Sequence, residues 1–191
     1  MSRQQWSEDW ADDGGFAATI INGYTTAKSA LNSNSGLATI PANYLKVGSK
    51  FRFNAGGAMS NRVTGPDTMT FQMMVGAVIA VTSGAVNLTT TANTLASFVL
   101  ECMMTCTAVG SGTTAKFEGI FDIRSQSVAM AASLANNAGG TGFALGPLTS
   151  PAAGTGFDST TSQTVDFFVA QSVSNAGNGI RVDWWTFESL N

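Results

Sequence analysis

Apolar and polar residues alternate with a period of two along most of this chain. Phe51-Arg52-Phe53-Asn54-Ala55 alternates, and so does Met69-Thr70-Phe71-Gln72-Met73. The longest run places Phe98, Leu100, Cys102, Met104 and Cys106 on one face, with Glu101, Thr105 and Thr107 among the residues opposite. Phe117, Gly119, Phe121 and Ile123 face away from Lys116, Glu118, Asp122 and Arg124. Near the end, Val165, Phe167 and Val169 alternate with Asp166, and Ile180, Val182 and Trp184 with Arg181, Asp183 and Trp185. Alternation of this kind marks strands that bury one face. Two short apolar runs, 77–82 and 85–88, are separated by Ser83-Gly84, which reads as a turn. Gly56-Gly57, Gly65-Pro66-Asp67 and Gly110-Ser111-Gly112 read as connections too. No segment past residue 36 sustains a helical stripe. About eight strands with frequent turns predict an all-β fold, an antiparallel two-sheet sandwich of the jelly-roll kind, over residues 36–191. Residues 126–163 carry little strand signal and read as a long functional loop or interface element.

The first 35 residues differ. They hold Glu8, Asp9, Asp12 and Asp13, four of the twelve acids, together with Trp6 and Trp10. Ser2 and Gln5 make a capping-box pattern that predicts a short helix with the two Trp on one face, ended by Gly14-Gly15. Acids toward its C-terminal end oppose the helix dipole, so this helix is weak alone. Residues 1–35 therefore read as an extended or short-helical arm that orders by docking, with Trp6, Trp10, Asp12 and Asp13 as its anchoring side chains, or as a frayed terminus.

Composition narrows the chemistry. Only 11% of the chain is charged, about half the usual share. More than half of it is Ala, Gly, Ser, Thr and Asn. Hydrophobic residues at 44% and a mean hydropathy of +0.14 separate it from disordered chains. Histidine is absent, which removes Ser-His-Asp, Cys-His and two-His zinc sites. A net charge of −3 opposes nucleic-acid binding. The polar, acidic start is unlike a signal peptide, and the longest apolar stretch, Met73 to Val81, is half the length of a membrane span. So few ions on the surface of a folded chain imply that neighbours cover part of it.

Cys102 and Cys106 share a strand face about 13 Å apart, beyond disulfide reach, and read as reduced core thiols. Glu118 and Asp122 are likewise about 13 Å apart, too far for a two-carboxylate glycosidase. Asp67 and Asp158 lie in turns, where backbone hydrogen bonding is their ordinary role. No catalytic, cofactor or metal site is expected. Met74, Phe168 and one member of Trp184-Trp185 add apolar groups to the outer faces of strands whose inner faces are already apolar. Met74, Phe168, Trp184 and Trp185 are the candidates for a subunit interface or, at the Trp pair, for stacking on a glycan.

The run Ala38-Thr39-Ile40-Pro41-Ala42-Asn43-Tyr44-Leu45-Lys46-Val47-Gly48, continuing through Phe51-Arg52-Phe53-Asn54-Ala55-Gly56-Gly57, resembles the opening of small jelly-roll virion proteins of tailed bacteriophages. Strand patterns like Thr68 to Gly76, Phe98 to Val109 and Ala115 to Arg124 follow in that family. The likeness covers roughly residues 38–125, with weaker support from Val165 to Phe187. It implies a non-enzymatic structural role in the virion, assembled in the bacterial cytoplasm, as a capsid decoration or a head spike or fibre. It also implies a homotrimer partnered by other virion proteins, the major capsid protein first among them. A tail- or fibre-associated module that binds a host surface carbohydrate is the alternative. The resemblance supplies no catalytic residues.

Overall fold

The computed structural model describes residues 7–13 as backbone and residues 20–31, 37–62, 67–129, 142–147 and 149–190 in full. Among these lie twelve strands: β1 (Ser7–Asp13), β2 (Ile21–Asn22), β3 (Lys28–Ser29), β4 (Ala38–Ile40), β5 (Lys50–Asn61), β6 (Thr68–Val75), β7 (Val78–Asn87), β8 (Asn93–Ala108), β9 (Lys116–Ser125), β10 (Phe143–Gly146), β11 (Gln163–Gln171) and β12 (Gly179–Leu190). A seven-stranded sheet runs β1-β12-β5-β8-β9-β10 with β2 also on β12. A five-stranded sheet runs β3-β11-β6-β7 with β4 also on β11. Neighbouring strands are antiparallel throughout.

The alternation read from the sequence is what holds the two sheets together. Phe51, Phe53, Leu100, Cys102, Phe117, Phe121 and Phe187 point inward from one sheet, and Phe71, Met73, Val75, Phe167 and Val169 from the other, all at most 1% exposed. Phe167 joins the layers, with its ring 5.2 Å from Phe53 across the core and 6.1 Å from Phe71 beside it. The chain winds in Greek-key fashion. It passes from β5 to the other sheet for the β6–β7 hairpin and returns as β8, so β5 pairs β8 while β6 pairs β7. On their other sides β5 and β6 receive β12 and β11. Both cysteines are buried free thiols, and burial raises their pKa.

Three expectations are corrected. Residues 7–13 form a strand, so the arm takes its extended form here and not the short helix of the capping pattern. β12 offers them an open edge, and the ladder from Ser7↔Leu190 to Asp13↔Trp185 satisfies backbone groups that a short, dipole-opposed helix would leave exposed. Trp10 sits at a register step in this strand, beside Asp12 and Asp13, whereas Trp6 lies outside the described residues. Ser83-Gly84 is a bulge inside β7, not a turn. The two residues together oppose Phe71, whose N–H donates to Ser83 Oγ at 2.9 Å, and Gly84 takes a φ of +67°. Gly56-Gly57 lies in the middle of β5, for the reason given below.

The 126–163 region contains structure that the pattern did not signal. β10 pairs with β9 from Phe143↔Arg124 to Gly146↔Phe121. Further on, Gly154 N–H donates to the Phe117 carbonyl and Thr155 N–H to that of Ile79, each at 2.9 Å. Phe157 stacks on Phe117 at 5.4 Å. This strap ties β9 of one sheet to β7 of the other along the open side of the sandwich.

Candidate functional site

The exposed face of the seven-stranded sheet is organised by one irregularity in β12. Val182 pairs with Gly57 and Trp184 with Gly56, so Asp183 is an extra residue that shifts the phase of the strand. Before it, Ile180 and Val182 point into the core; after it, Trp185 and Phe187 do. The simple alternation grouped Trp184 with Ile180 and Val182 on the inner side. Instead Trp185 is 2% exposed and Trp184 is 39% exposed. The signal was present in Trp185 and Phe187, two apolar residues out of step with the preceding pair.

The glycines of β5 explain how the bulge is accommodated. A Cβ at Gly56 would lie 2.5–2.7 Å from indole atoms of Trp184, so the ring rests against bare backbone. A Cβ at Gly57 would run into the carbonyl of Arg181 and lie 2.9 Å from the Asp183 nitrogen. Both positions record close approach, not a turn.

Successive pairings place Trp184, Gly56, Val99, Arg124 and Phe143 in one row across five strands. Val99 is 50% exposed and Phe143 39%. The neighbouring row holds Thr186, Asn54, Glu101, Asp122 and Leu145. Asn54 Nδ2 donates to Thr186 Oγ1 at 3.3 Å. Arg124 grips Asp122 with Nη2 at 2.6 Å and Nε at 3.3 Å, and Arg181 grips Asp183 with Nε at 2.6 Å and Nη2 at 2.9 Å. Hydrogen bonding to these carboxylates holds both guanidiniums in their charged form. Beyond, Arg52 pairs with Glu188 at 2.5 Å, in a row with Met103 and Ile120.

The other sequence candidates fall elsewhere. Phe168 and Met74 are half-buried on the outer face of the five-stranded sheet, on the far side of the sandwich from Trp184. Phe168 opposes Gln72 and Ser29, and Met74 opposes Asp166 and Ile79. Asp166 and Asp183 belong to different sheets. Asp158 accepts from the Thr160 hydroxyl at 2.5 Å and from the Thr160 N–H at 2.8 Å in a turn, and the hydroxyl's hydrogen bond is the chief cause of its lowered pKa.

Glu118 faces Thr105, while Glu101 and Asp122 are directly opposed, a carboxylate pair that strand spacing alone did not reveal. Asp122 is tied at both oxygens to Arg124 on an open sheet face, which differs from the two available carboxyls flanking a bound sugar in glycoside hydrolysis. Among the described residues, no group of three or more Cys, Asp or Glu side chains is placed to hold a metal ion. Nor is any helix among them long and apolar enough to cross a membrane.

No family model matches the chain, and no curated protein matches its sequence. Among solved structures it is similar to the CBM2 module of the evolved Dit of Lactobacillus casei BL23 phage J-1. The identity is 14% and the TM-score 0.34, over 99% of this chain and 98% of that one. The sandwich itself stands on the strand pairing given above.

Proposed function

We propose that this chain is a non-enzymatic virion module of a tailed phage that contacts a host surface glycan through the outer face of its seven-stranded sheet. The observation that carries the reading is the exposed indole of Trp184, seated against Gly56 and bordered by polar side chains. A ring fixed in this way loses little freedom when a sugar face stacks on it, and Asn54, Thr186, Glu101 and Asp122 offer hydrogen-bond partners for hydroxyls. The resemblance over residues 38–57 supports a place in the virion, and the strand order supports the jelly-roll winding that the resemblance implies. On an array of bacterial surface glycans, the protein is expected to bind a defined subset. Trp184→Ala is expected to weaken that binding about tenfold, the worth of one stacked ring, while unfolding stays cooperative at a modestly lower midpoint. Absence of any bound glycan, or equal binding by the variant, would sink the reading.

A second reading is favoured by Met103, Ile120 and Leu145, aliphatic residues 36–49% exposed on the same sheet. With so few charges to keep a lone molecule soluble, this strip supports self-association as the homotrimer of a capsid decoration or head fibre. Trp6, Trp10, Asp12 and Asp13 would then lie in the segment that meets the major capsid protein. Light scattering is expected to give three times 19.7 kDa, and Ile120→Glu to return it to the single-chain mass. A monomer at micromolar concentration removes this reading.

A further inference from the structure

Resting on the glycan reading above, we infer that the ligand is a single neutral sugar chain about five units long that lies across the strands from Trp184 to Phe143. The two rings end one register row, four strand spacings apart, which at about 4.8 Å each is about 19 Å. A pyranose linked through opposite ring carbons advances a chain by about 5 Å, so about four steps separate the rings and a chain with one sugar on each has about five units. Between the rings the row offers Gly56, with no side chain to obstruct, then Val99 and the stem of Arg124. The adjoining row supplies the polar groups of Thr186, Asn54, Glu101 and Asp122 along the same length.

Charge argues for a neutral ligand. Arg52, Arg124 and Arg181 on this face are each held by a carboxylate, Glu188, Asp122 and Asp183 respectively. An anionic sugar would have to displace one of those partners, whereas a neutral chain leaves all three pairs intact.

Shape argues for one separate chain. Neighbouring strands rotate by about 20°, so the surfaces under Trp184 and Phe143 are turned by about 80° from each other. A soluble chain that twists along its length follows that surface. A flat, crystalline polysaccharide surface meets one ring or the other.

The probes are α-1,4-glucose and β-1,4-N-acetylglucosamine oligomers of one to six units, with crystalline cellulose as the flat control. Calorimetry is expected to show affinity for at least one series rising about tenfold from two units to five and then levelling, with no retention on cellulose. Phe143→Ala is expected to reduce the five-unit ligand to the affinity of the two-unit ligand, and Phe143→Tyr to restore it. Equal affinity from two units upward, or an unchanged ladder in Phe143→Ala with Trp184 still required, would overturn the extended chain while leaving the glycan face standing. No binding of either series, together with an empty array, would overturn both. A trimer that shields Trp184 from quenchers would assign the face to a second copy of this chain and also overturn the inference.

Discussion

Asp67→Ala is expected to lower the unfolding free energy by about 3 kcal/mol, because it strands buried polar partners. Asp67 is 5% exposed. Its Oδ2 accepts from Arg62 Nε and from Asn178 Nδ2, both at 2.6 Å, and its Oδ1 from Arg62 Nη2 at 3.0 Å. Asn178, fully buried, also accepts from the Arg62 backbone N–H at 3.0 Å. The cluster thus fastens the entry to β12 onto the end of β5 and the start of β6. Hydrogen bonding from Arg62 is the main reason the Asp67 carboxyl titrates below the ordinary carboxylate range. A carboxyl depressed in the folded state stabilises fully above its unfolded pKa, about 3.9, and loses that contribution as pH falls through the folded value. Urea titrations of the protein and of Asp67→Asn should therefore differ most at pH 7 and converge toward pH 3. A gap that persists undiminished at pH 3 would show that the charge is not what stabilises.

Gly57→Val is expected to cost about 3 kcal/mol, the upper end for forced overpacking, since the obstacle is backbone. The added Cβ meets the Arg181 carbonyl and the Asp183 nitrogen, which cannot rotate aside as a side chain would. The variant can fold only by opening the bulge that turns Trp184 outward. Lower stability should therefore come with changed tryptophan emission and weaker glycan binding. Stability equal to that of the parent protein would show that the β12 bulge yields freely.

The sheets were legible in the sequence wherever a strand was long enough to alternate. Phe98 to Cys106 and Phe117 to Ile123 announced themselves through five and four inward residues, and the structure buries every one. Two-residue strands such as β2 and β3 carry no period at all, and β10 is only four residues long. Their pairing is decided by the neighbours they meet, which composition does not encode. The acidic start was misread because a capping pattern describes local preference, whereas the open edge of β12 is a tertiary opportunity. At the site, the Trp pair was visible as one inward and one outward ring. Which was which depended on Asp183, whose extra place becomes evident only when β12 is laid beside β5.

That extra place has a consequence for how the surface can change over generations. Removing Asp183 would leave Val182 inward, Trp184 outward and Trp185 inward in plain alternation, so display of the aromatic survives the loss. What disappears is the Arg181 clamp and the pressure on position 57. A deletion in one strand should therefore relieve a larger residue in its neighbour, and the double variant should be more stable than Gly57→Val alone.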